Sequence, residues 1–241
     1  MLIDRALDEM TKKNRVVVGF DLGNDFSQIS YCRQNQSMPD TVSLVMGEEQ
    51  YNIPTLLCRK NDVEGDAAWL IGNEALNAAK EGQGVVIRDL LVLAKNNASV
   101  RVGTDSLYEE EVSAEHLLRM FVRKALAVLS AYIVSEDIAA VAFTMKEMDT
   151  DIMKILRNIS KHIAKRNAEV YFLSHADCFF QYIIHQPQEM WIHDVLLYDY
   201  RDDGIHSYLL SMNRKTNPVA CFIETTQHRQ MKIPDLADRS E

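Results

Sequence analysis

Val16-Val17-Val18-Gly19-Phe20-Asp21-Leu22-Gly23-Asn24-Asp25 reads as an apolar strand that ends in an aspartate and a turn. A second copy lies far downstream, where Val195-Leu196-Leu197-Tyr198 leads into Asp199-Tyr200-Arg201-Asp202-Asp203. Another strand follows each turn, Ser27 to Arg33 in the first copy and Ile205 to Asn213 in the second. A repeat so widely spaced indicates two related half-domains rather than a solenoid. If the halves face each other, two carboxylates converge on one cleft, an arrangement suited to a magnesium-bound phosphate chain. The alternative is local: aspartate ends strands at turns because its side chain hydrogen-bonds the backbone that follows.

Working outward, residues 15–46 read as a three-stranded meander, with turn signals at Gly23-Asn24-Asp25 and around Ser37-Met38-Pro39-Asp40. A short helix is expected ahead of it, in residues 1–14. Residues 47–112 are mixed: a strand at Ile53 to Cys58, another at Trp69 to Gly72, a helix near Glu74 to Lys80, and a stretch from Val85 to Lys95 open to either assignment. The acidic run Glu109-Glu110-Glu111 reads as a solvated loop before a helix N-terminus. Ser113 then caps a helix whose Leu117, Leu118, Phe121, Ala125, Val128, Leu129 and Tyr132 recur at helical spacing, ending near Val134. Ile138 to Phe143 is the next strand, and Asp149 caps a helix with Ile152, Ile155, Leu156, Ile159 and Ile163 on one face. Val170 to Leu173 is a strand, Asp177 to His185 a helix, and the second copy of the repeat follows. This alternation predicts crossover connections and a largely parallel sheet between helices, apart from the opening meander. Beyond Asn213 come one more strand, Val219 to Glu224, and a polar tail from Thr225. No helix follows to cover that second sheet, so one face is expected to be bare, as in a fragment of a longer protein.

Length permits a sizeable core, and 47% hydrophobic with 25% charged residues is the balance of a folded globular chain. A net charge of -9, with no cluster of Lys and Arg, argues against nucleic acid as the main partner. No apolar run reaches membrane-spanning length, and the first residues are not those of a secretory signal, so a cytoplasmic location without membrane contact is expected. The four cysteines form no C-x-x-C pair, which points to reduced thiols rather than a zinc or redox site. The seven histidines show no metal-ligand spacing.

The order of elements and several short motifs resemble the superfamily of actin, sugar kinases and heat-shock chaperone ATPases, the chaperone branch most of all. Gly19-Phe20-Asp21-Leu22-Gly23-Asn24-Asp25-Phe26-Ser27 resembles its first phosphate loop, G-I-D-L-G-T-T-x-S. Ile53-Pro54-Thr55 resembles I-P-S, and Leu70-Ile71-Gly72-Asn73-Glu74-Ala75 resembles L-I-G-x-x-A. Ile138 to Thr144 stands where the family has A-V-I-T-V-P, and Leu173 to Tyr182 where it has I-N-E-P-T-A-A-A. The resemblance implies an α/β fold: a ribonuclease-H-like, actin-like ATPase lobe over residues 1–190, with a mixed five-stranded sheet flanked by helices and an inserted subdomain near 47–112. Residues 191–241 would begin a second lobe with three strands and a polar tail. It also implies ATP or ADP with magnesium. Asp21, Leu22, Gly23, Asn24, Asp25 and Phe26 would form the first phosphate loop, Asp21 and Asp199 would stand near the metal, and Asp199 would orient the attacking water. Gly23 would let backbone N–H groups approach phosphate.

The departures from the family pattern are chemical. Its second loop, D-L-G-G-G-T, is here Asp199-Tyr200-Arg201-Asp202-Asp203-Gly204, with carboxylates that repel polyphosphate. Asp203-Gly204 reads instead as a hairpin turn. The catalytic glutamate of N-E-P-T aligns with His175, and the catalytic lysine has only Arg88 nearby. Two loop threonines are Asn24 and Asp25. Phosphoryl transfer depends on positioned charge, so a non-catalytic binding or regulatory module is expected, with bound nucleotide or none and a protein partner or the rest of a second lobe. An active Mg-ATPase using Asp199, Arg88 and His175, and a structural actin-like assembly unit, are the alternatives.

Overall fold

Four buried side chains, Val16, Val18, Phe20 and Leu22, alternate along the strand that carries Asp21, and its remaining residues are half-buried. A strand covered on both faces belongs in the middle of a sheet. The computed structural model describes residues 15–229, apart from 46, 62, 64, 104–109, 135–136, 164–167, 202–203 and 217–218. The expected N-terminal helix, Asp202, Asp203 and the end of the tail lie outside the described residues.

In chain order the elements are β1 (Val16–Leu22), β2 (Phe26–Arg33), β3 (Asp40–Thr41), β4 (Ile53–Pro54), β5 (Leu57–Lys60), β6 (Trp69–Ile71), α1 (Gly72–Lys80), β7 (Gly84–Ile87), α2 (Leu90–Lys95), β8 (Ser99–Val102), β9 (Glu110–Ser113), α3 (Ala114–Ala127), β10 (Ile138–Met145), α4 (Thr150–Ile163), β11 (Glu169–Ser174), α5 (His175–Ile184), β12 (Val195–Arg201), β13 (Gly204–Asn213) and β14 (Ala220–Arg229). The chain divides into two compact units, residues 1–173 and 174–241, which places α5 with the second sheet.

The first unit is mixed α/β. Its main sheet has the order β11-β10-β1-β2-β3, with β4 also paired to β2, six strands where five were expected. β1 is antiparallel to β2 and parallel to β10, so the sheet is mixed. Helices flank it. Leu117, Leu118 and Phe121 of α3 and Ile152, Leu156 and Ile159 of α4 join Phe20, Ile29 and Phe143 of the sheet in one buried core. Phe143 lies between Phe20 and Phe172, with ring centroids 5.9 Å away on each side. A three-stranded sheet, β6-β5-β7, and a β8–β9 hairpin complete the unit.

Several expectations are corrected. The third meander strand shrinks to Asp40–Thr41, because the Ser43 hydroxyl ties the chain into a loop with Val45 and Gln50. The strand expected at Ile53 to Cys58 is two strands that pair with different neighbours. The ambiguous stretch from Val85 to Lys95 contains both a strand and a helix, separated at Asp89, which adopts the left-handed conformation (φ 56). Glu110 and Glu111 are not loop residues: both lie in β9, paired with β8.

In the second unit the strand order is β12-β13-β14, all antiparallel. β14 extends to Arg229, so Thr225 to Arg229 is strand rather than tail. One face is covered by a helix that precedes the sheet: Ile183 of α5 packs with Leu210 and Met212, alongside Phe180 and Trp191. The opposite face carries Leu196, Tyr198 and Phe222, which are 50%, 56% and 63% exposed. Among the described residues no helix is long and apolar enough to cross a membrane.

Candidate functional site

Asp21 stands near the carboxyl end of β1, next to the parallel strand β10, at the sheet edge where open α/β folds bind ligands. Its register partner is Thr144, whose hydroxyl donates to Asp21 Oδ1 at 2.8 Å. Leu22 points into the core at 1% exposure, so it can offer a ligand only its backbone. Asn24, Asp25 and Phe26 are exposed at the turn. The turn is fastened to the chain beside β4: Thr55 N donates to Asp25 O at 2.8 Å, and the Ser27 and Thr55 hydroxyls are bonded at 2.8 Å in a buried position. Gly23 has a reason that needs no phosphate, since a Cβ there would lie 2.4 Å from the Phe26 carbonyl oxygen. Turn closure alone excludes a side chain.

The second motif has different surroundings. Asp199 is opposite His206 in the β12–β13 ladder, and its Oδ2 lies 3.8 Å from His175 Nδ1. The His175 and Asp199 side chains are only 12% and 13% exposed, and His206 is buried. His175 is set by the start of α5. Ser174 Oγ accepts from Asp177 N at 3.1 Å, and Asp177 Oδ2 accepts from Ser174 N at 3.0 Å, a reciprocal cap. The Ser174-His175-Ala176-Asp177 segment therefore starts a helix and presents an imidazole to a shielded carboxylate. Such a pair can hold a proton; it attracts strongly only when the imidazole is charged.

Arg88 is exposed between β7 and α2 and, among the described residues, pairs with neither Asp21 nor Asp25 of its own unit. No group of three or more His, Cys, Asp and Glu side chains among the described residues is arranged to hold a metal ion. The four cysteines are free, and burial raises the thiols of Cys32, Cys58 and Cys221 above their ordinary value. These three are poorly suited to act as thiolates at neutral pH. Sequence reasoning assigned no site role to Thr144, Thr55 or His206. The first ends a strand, the second follows a proline, and the third is found only through the strand register.

No curated protein matches the chain. The model of a family described as a family of unknown function (DUF5716), C-terminal, matches residues 38–241. That span contains His175, Asp199 and His206, and begins after β1, β2 and the Asp21 turn. This chain belongs to the DUF5716 C-terminal family.

Proposed function

We propose that the chain is a degenerate chaperone-like or actin-like nucleotide-binding domain that acts as a non-catalytic binding or regulatory module. The observation that carries this reading is the pairing of His175 with Asp199. The side chain that would orient an attacking water is largely shielded and faces an imidazole, in the position where the family pattern has a glutamate. The mixed sheet, antiparallel at its opening hairpin and parallel where β1 meets β10, supports the implied ribonuclease-H-like lobe.

The residues do not fit a magnesium-polyphosphate engaged in transfer. Asp25 puts a carboxylate at the exposed turn, where it repels phosphate oxygens, and one oxygen of Asp21 accepts from Thr144. Arg88 forms no pair with Asp21 among the described residues. Stabilisation of a transferring phosphoryl group needs pre-positioned cations and donors, and these surroundings supply few. The exposed Leu196, Tyr198 and Phe222 support a protein partner or the remainder of a second lobe as the functional counterpart.

The test is calorimetric titration of Mg-ATP into the chain and its Asp21→Asn variant, with phosphate release measured in parallel. The expected result is no turnover above the uncatalysed rate, with binding that is absent or lost in the variant. Saturable phosphate release abolished by Asp199→Asn would overturn the reading in favour of an active ATPase.

A further inference from the structure

We draw no further inference here: the strongest candidate, the exposed apolar face of the β12-β13-β14 sheet that carries Leu196, Tyr198 and Phe222, is an unpartnered surface, and nothing in the structure shows what covers it.

Discussion

At the end of β1, Asp21 accepts a hydroxyl hydrogen bond from a parallel neighbour; near the end of β12, Asp199 faces His175 and lies across an antiparallel ladder from His206. The two stretches read alike as apolar strands ending in aspartate. Their chemistry is decided by what the fold brings alongside, a threonine from β10 in one unit and two imidazoles from α5 and β13 in the other. Thr144 gives Asp21 a hydroxyl donor, whereas Asp199 has an imidazole 3.8 Å away.

The largest effect should come from the cores behind the hairpins. Phe143→Ala removes a fully buried ring and should cost about 3–5 kcal/mol, and Leu210→Ala about 2–5 kcal/mol in the second unit. Each unit carries one tryptophan, Trp69 in the first and Trp191 in the second, so urea unfolding followed through single-tryptophan variants reads them separately. Each substitution should lower the midpoint of its own unit. Equal shifts at both reporters would mean that the units unfold as one, and the contrast between two independent hairpins would not stand.

Gly23→Ala should cost about 1–3 kcal/mol, because the added Cβ has to displace the Phe26 carbonyl. If stability is unchanged and nucleotide binding is lost instead, the glycine serves a ligand and the first hairpin is more family-like than its turn geometry indicates.

The smallest effect concerns the caps. Asp149 Oδ1 accepts from the backbone N–H groups of Ile152 and Asp151 at the start of α4, whereas at α5 the capping acceptor is the Ser174 hydroxyl and the carboxylate, Asp177, closes the box from inside the helix. The Asp149 carboxyl is held below its ordinary value, first by the Ile152 N–H and then by Asp151 N–H and Lys95, against a smaller opposing push from burial. A folded-state value below the unfolded one means that the stabilisation is present above about pH 3.9 and is lost as pH falls through the folded value. Asp149→Ala should therefore cost about 1 kcal/mol at pH 7, and the difference should close in stronger acid. A constant difference down to pH 2 would show that the carboxylate charge plays no part in the cap.

Where one local device dictates structure, the sequence was sufficient. Ser113 and Asp149 announce helices by capping chemistry and by apolar residues at helical spacing, and both helices begin where expected. Short strands were less legible. β9 is Glu-Glu-Val-Ser, with poor intrinsic strand preference, and it is held by its ladder to β8 rather than by its own residues. Asp89 marks a strand-to-helix switch between two short apolar runs, residues 85–87 and 90–94, each too short for its period to tell strand from helix. At the site, both aspartates were legible on apolar strands, but neither ends its strand: β1 runs one residue past Asp21, and β12 stays paired to Arg201, two residues past Asp199. Thr144 and His206 were not legible, since each acts only through a register that no local pattern encodes.

The bond between Asp21 and Thr144 joins residues 123 positions apart. The hairpin of β1 and β2 can close as soon as it leaves the ribosome, but at about 5–20 residues per second the strand completing its other side arrives roughly 6–25 s later. Throughout that interval β1 presents an open edge of valine and phenylalanine backbone, a template for the wrong strand. For a nascent chain of this kind, the hazard in time lies at the first hairpin made, and the second unit, built from neighbouring strands, passes through no such wait.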